Sequence, residues 1–188
     1  NRLGIHRNTY MFYNIGPIGH LLQPMGTLSF DEAYSLFKDQ VLIAKDQADA
    51  VLIETMSDTL EIKAAILAIK ENSDLPIFAS MTFDENQRTL TGASPLTAVT
   101  ILEGLGVDCL GVNCSLGPKE LEPIVMEILS IATIPVIVEP NAGLPVYANN
   151  QTTYNVSMEE FAKYIKRFVD AGVSCFGGCC GTTPEYIR

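Results

Sequence analysis

Ala50-Val-Leu-Ile-Glu-Thr-Met-Ser57, followed directly by Asp58-Thr-Leu-Glu-Ile-Lys-Ala-Ala-Ile-Leu-Ala-Ile-Lys-Glu-Asn72, compresses one structural unit into a single stretch. The apolar, β-branched run Ala50–Ile53 reads as a buried strand, Glu54–Ser57 as a polar strand end, and Thr59–Asn72 as a helix. Asp58 supplies an N-cap, and Glu61 three residues later is the pattern of a capping box. The unit recurs along the chain. Apolar runs at Tyr10–Ile15, Ile77–Thr82, Cys109–Val112, Ile134–Val138 and Val173–Gly177 predict five more strands. Helical patterns at Ser29–Gln47, Pro95–Leu105, Lys119–Ala132 and Met158–Ala171 fall between them. Pro95 and Pro118 suit first helical positions, and Ser157 with Glu160 repeats the cap spacing. Strands that are apolar throughout belong to a sheet covered on both faces, which is the signature of parallel pairing.

Six strands in 188 residues give about 31 residues per strand-plus-helix unit, the size of a βαβ repeat. An open doubly wound sheet and a TIM (β/α)8 barrel both fit this alternation. Every strand ends in polar or Gly-rich sequence, from Asn14-Ile-Gly-Pro17 to Gly177-Gly-Cys-Cys-Gly181, and that favours a barrel, whose site draws on all its βα loops. A full barrel has eight strands and typically ~250 residues, so the expected fold is an α/β barrel that is incomplete by about two units. Thr182-Thr183-Pro184-Glu185 starts a helix that Arg188 cuts short.

Composition excludes several classes. Twelve Lys and Arg against 22 Asp and Glu leave a net charge of −10, a field that repels nucleic acid. With 47% hydrophobic and 18% charged residues the chain can bury a core, and disorder is ruled out. No apolar run approaches the ~18–20 residues of a membrane span, so no membrane partner is expected. The chain starts at Asn1 without Met and without a secretory signal pattern, which reads as a fragment or a processed chain. Five cysteines, two of them adjacent, suit a disulfide framework poorly and point to the reducing cytoplasm.

Three of those cysteines, Cys114, Cys179 and Cys180, fall at strand C-terminal ends, on the fourth and sixth strands of the series. Alternate strands of a barrel feed one layer, so the three thiols can converge at the mouth. Gly177, Gly178 and Gly181 free the backbone to aim both sulfurs of the pair. Three thiolates with an open fourth position describe a zinc site, against the alternatives of inert packing or a redox pair. Cys109 and Cys175, near strand starts, read as core residues. His6 and His20 lack ligand spacing and read as loop residues, and Gly16-Pro-Ile-Gly19 reads as a mouth turn.

Gly111-Val-Asn-Cys-Ser-Leu-Gly-Pro118 and Gly177-Gly-Cys-Cys-Gly-Thr-Thr-Pro184 resemble the two zinc signatures of the homocysteine S-methyltransferase family. Ile53–Asp58, Met81–Asp84, Leu90–Gly92 and Val138–Gly143 resemble it as well, and within the family they are most similar to the homocysteine-binding module of cobalamin-dependent methionine synthases. The resemblance spans residues 1–188. It equates the six strands with strands three to eight of the family barrel, so that the first two strands and most of the last helix are lacking, and a helix is missing between Asn1–Arg7 and the strand at Tyr10.

What the resemblance implies is a zinc-dependent module that activates the homocysteine thiol for methyl transfer, giving methionine. Cys114, Cys179 and Cys180 would hold Zn²⁺. Glu54 would take the substrate ammonium group, its alternative being a structural ion pair, and Asn113 would orient substrate or satisfy loop backbone. Glu139 is a weaker candidate. The implied donor is methylcobalamin on a separate domain, recharged from methyltetrahydrofolate by a folate-binding domain, so folate-binding and cobalamin-binding domains are the implied partners. Alternatives are a betaine or S-methylmethionine donor, or a structural zinc or thiol-binding barrel without catalysis.

Overall fold

The computed structural model describes residues 9–148 and 151–188; His6 and the Asn1–Arg7 segment lie outside the described residues. The element order is β1 (Phe12–Ile15), α1 (Phe30–Ala44), β2 (Ala50–Met56), α2 (Thr59–Asn72), β3 (Ile77–Met81), α3 (Pro95–Gly104) and β4 (Cys109–Asn113). It continues with α4 (Pro118–Ile131), β5 (Val136–Glu139), β6 (Pro145–Ala148), β7 (Gln151–Tyr154), α5 (Met158–Ala171), β8 (Cys175–Phe176) and α6 (Pro184–Ile187).

Six strands form one parallel sheet in the order β1-β2-β3-β4-β5-β8, curled as a partial (β/α)8 barrel. All six expected strands are present. Because each strand returns through a helix, all their C-terminal ends lie at one end of the sheet. The antiparallel hairpin β6–β7 stands outside the sheet and was not anticipated. Its strands are short and flank Asn149-Asn150, a turn signal that the surrounding polar residues obscure.

Strand periodicity sorts the side chains into two cores. Val51, Ile53, Ala79, Met81, Leu110, Val112, Val136 and Val138 face outward into the main core. There they meet the helices through Phe37, Ile62, Ile66, Val99, Ile124, Phe161 and Phe168. The alternate positions, Leu52, Cys109 and Ile137 with the partly buried Phe78 and Cys175, form a small separate cluster on the inner face. Phe12 packs edge-on against Phe78 at 4.9 Å. This cluster is the apolar floor of the barrel lumen. Cys109 is buried in it and Cys175 is half-buried beside it.

Helix starts follow the sequence cues in most cases. Ser29 and Glu32 form a complete capping box on α1, and Pro95 and Pro118 open α3 and α4. At α2 the expected box is only half made. Asp58 accepts from the Leu60 amide at 2.8 Å, but Glu61 turns away and accepts from the Ile18 amide at 2.6 Å. That bond ties the Gly16–Gly19 turn, where the chain leaves β1, to the start of α2. His20 is exposed in the following loop.

Candidate metal centre

The sheet delivers its polar residues to the C-terminal end by simple continuation of the inner-face alternation. Two residues beyond Leu52 is Glu54; two beyond Ile137 is Glu139; Asn113 continues the Cys109 and Gly111 series, and Gly177 continues from Cys175. Glu54, Glu139 and Asn113 therefore stand above the apolar floor, at the lumen mouth. Asn113 and Glu139 are register partners on β4 and β5.

Cys114 follows β4 directly, while Cys179 and Cys180 follow β8, and the single strand β5 separates them. Their sulfurs lie within 4.8 Å of one another, and Cys114 Sγ is 3.7 Å from Cys180 Sγ. Adjacent residues on a strand would send Cys179 and Cys180 to opposite faces. Here the chain has left the strand. The Cys179 amide donates to Pro140 O at 2.8 Å, the Cys180 amide to Asn141 Oδ1 at 3.0 Å, and the Ala142 amide to Cys180 O at 2.9 Å. The segment after β5 thus clamps the pair and turns both sulfurs inward. Gly181, at φ +80°, completes the turn; a Cβ there would stand 2.3 Å from the Tyr154 ring of β7, so the hairpin packs flat on this loop.

Three non-glycine residues at the site occupy the left-handed region: Thr55 (φ 63°), Cys114 (φ 62°) and Ser115 (φ 61°). Such conformations cost on the order of 1–3 kcal/mol each and persist only where surroundings over-determine them. Asn113 supplies much of that determination. It is fully buried, and its Oδ1 accepts from the Thr55 amide at 2.8 Å and from Ser80 Oγ at 2.7 Å. Its Nδ2 donates to Thr55 Oγ1 at 2.8 Å and toward Cys179 Sγ at 3.8 Å. The Cys114 amide in turn donates to Glu139 O at 3.0 Å. No sequence signal marks Thr55 and Ser80 as members of this network.

The electrostatics favour a cation. Cys114 is pulled down to about 5, chiefly because the Cys179 thiol donates to it, against the opposing effect of burial. Cys179 is pushed far up by that same bond to Cys114 and by burial. Cys114 and Cys179 thus share one proton, and a cation at the cluster is what would let both ionise. Around them Glu54 is raised by burial and by the Cys114 charge, while Asn14 Nδ2 donates to its Oε1 at 2.8 Å. Burial and Glu54 together push Glu139 up to about 7. A tetrahedral zinc with Zn–S bonds of ~2.3 Å sets sulfurs about 3.8 Å apart, close to the Cys114–Cys180 separation. The donor set fits the metal.

Comparison with known proteins agrees with this geometry. The family model described as homocysteine S-methyltransferase matches residues 4–188. Methionine synthase of Mycobacterium tuberculosis is 36% identical over 189 residues, covering 97% of this chain and 16% of that protein. The chain spans about a sixth of the length of the curated relatives it matches. Among solved structures, the apo form of the homocysteine methyltransferase MmuM from Escherichia coli superposes with a TM-score of 0.74 at 22% identity, covering 95% of this chain and 60% of that one. Its metallated form gives 0.66 at 24% identity over 82% and 50%. At these identities the likeness establishes the fold. Among the described residues no helix is long and apolar enough to cross a membrane.

Proposed function

Since the chain belongs to the homocysteine S-methyltransferase family, we propose that it is a zinc-dependent module that binds homocysteine and presents its sulfur for methylation to methionine. The observation that carries this reading is the convergence of Cys114, Cys179 and Cys180 within 4.8 Å at the open end of the sheet. These three residues would hold Zn²⁺. Zinc held by three protein thiolates supplies a fourth position at which a substrate thiol, with an ordinary pKa of ~8.5, is deprotonated and stays nucleophilic.

The chain's own residues do the rest. Cys180 is exposed, so the cluster is open on the side from which substrate and donor arrive. That exposure argues against a closed structural site. Glu54, at the lumen mouth beside Cys114, takes the substrate ammonium group. Asn113 acts through its neighbours: with all its polar contacts inside the protein, it fixes the Cys179 sulfur and the Thr55 turn rather than touching substrate. In the reaction the carbon–sulfur bond of methionine forms as the donor–methyl bond breaks, the electron pair of that bond leaving with the donor.

The methionine synthase relatives support methylcobalamin as the donor, carried by a cobalamin-binding domain and recharged from a folate-binding domain. The six strands would then stand for strands three to eight of the family barrel. Five cysteines without a disulfide support a reducing, cytoplasmic setting.

X-ray absorption at the zinc edge, with and without homocysteine, tests the reading. The expected change is a first shell that gains one sulfur on addition of substrate, and a shell that stays the same would overturn it. Cys179→Ala should strip the metal; full retention of zinc would remove Cys179 from the ligand set.

A further inference from the structure

Glu139 reaches the lumen by the same inner-face alternation that brings Glu54 there, two residues beyond the apolar floor at Ile137. Its Oε2 is shielded from solvent and meets no hydrogen-bond partner. The other such oxygen among the described residues, Oε2 of Glu120, sits in the first turn of α4, where the helix amino end favours negative charge. Glu139 has no helix end to support it. Nor does it have a cation: the ion pairs among the described residues, Lys166–Asp170 and Arg167–Glu122, join α5 to itself and to α4.

The position of this carboxyl is nevertheless built. A Cβ at Gly177 would lie 2.9 Å from Glu139 Oε1 and 3.2 Å from its Cγ, so the bare backbone after β8 is what allows the carboxyl to lie there. The adjoining Cys114 amide holds the Glu139 backbone oxygen. Glu54 on β2 and Glu139 on β5 both continue the inner-face series at the same end of the sheet, with β3 and β4 between them. A carboxylate with a shielded, unpartnered oxygen and no protein cation is the complement of a cation that a ligand brings.

From this arrangement we propose that Glu139 is a second carboxylate for the substrate's ammonium group, the specificity-determining partner of Glu54. The inference rests on the reading of the site as a homocysteine pocket and names how it chooses among thiols. An amino-acid thiol places its ammonium between Glu54 and Glu139 while its sulfur lies at the cysteine cluster. A simple thiol leaves both carboxylates facing each other without a counter-charge.

Calorimetric titration of the zinc-loaded protein with homocysteine and with 4-sulfanylbutanoate, the same chain without the amino group, decides it. The wild-type protein should prefer homocysteine by about tenfold or more, the scale of a hydrogen bond to a charged group. Glu139→Gln should keep its zinc and its affinity for the analogue, while the preference falls to about threefold or less. An undiminished preference in that variant overturns the role of Glu139 and leaves the homocysteine pocket standing. Failure of the wild-type protein to bind either thiol overturns the pocket and this inference together. If Glu139→Gln does not fold or hold zinc, Glu139→Asp decides, since it keeps the charge and withdraws it by one methylene: a reduced preference supports the proposal, and an unchanged one overturns it.

Discussion

Replacing Asn113 with Ala removes one fully buried carboxamide and leaves its partners in place. The Thr55 amide and the Ser80 hydroxyl, bonded to Oδ1 at 2.8 and 2.7 Å, would become buried donors without acceptors. Each such orphan costs about 1–3 kcal/mol, and the lost packing adds to that, so unfolding free energy should fall by roughly 3–5 kcal/mol. That is a large share of the ~5–15 kcal/mol typical of a domain. The same change strips Cys179 of its amide donor and frees the Thr55 turn from the bond that fixes it. Loss of a group that orients a metal ligand typically weakens binding by about 10–100-fold. Urea denaturation at constant m-value measures the first effect, and competition with a chromophoric chelator measures the second. A loss below about 1 kcal/mol together with unchanged zinc affinity would refute the reasoning, because the four contacts of Asn113 would then carry no energy.

Ser29→Ala removes the α1 capping box far from the metal centre, so it should cost about 0.5–2 kcal/mol in urea while chelator competition stays at the wild-type value. Gly181→Ala forces a side chain onto a φ of +80° and against the Tyr154 ring. It should destabilise by about 1–3 kcal/mol and, unlike the cap variant, also loosen zinc. In the metal-free protein, Glu139 holds its proton up to about pH 7, whereas the unfolded chain releases it near 4.5. The folded state therefore binds more protons between those values, and this contribution is full below pH 4.5 and lost as pH rises through 7. Relative to Glu139→Gln, the wild-type protein should lose up to about 3 kcal/mol between pH 4 and pH 8; a parallel pair of stability curves would contradict the assignment.

The parts of the fold that were legible in sequence are those set by local periodicity. Helices Thr59–Asn72 and Met158–Ala171 have the boundaries that their caps announce, and the strand starts at Ala50, Ile77 and Cys109 match the beginnings of their apolar runs. Strand ends drifted where the polar burst begins: Glu54–Met56 extends β2 past the predicted end, because pairing with β3 resumes at Met56 with Met81 beyond an irregularity after Ile53. Prolines at 95 and 118 marked helix starts because their missing amides cost nothing there. The convergence of the cysteine trio was legible because all three residues follow strand ends, and parallel pairing puts every such end at one end of the sheet. What sequence could not give was the support around it. Asn113 meets Thr55 and Ser80 only after three strands have come into register, and Asn141 reaches the Cys180 amide from a loop with no repeating pattern. Glu61 fitted a capping box, yet tertiary contact with Ile18 drew it elsewhere.

The separation of the cluster along the chain has one further consequence. Cys114 and Cys180 are 66 positions apart in sequence, and their sulfurs meet across β5. An ion gripped by both works as a cross-link that closes a long loop, much as a disulfide would. In the chain-entropy description, closing a loop of that length removes about 4 kcal/mol worth of freedom from the unfolded ensemble. Chelation should therefore act on this protein as reduction acts on a disulfide-bonded one. The last quarter of the chain, from the hairpin through β8, would be the first part to lose its attachment to β4.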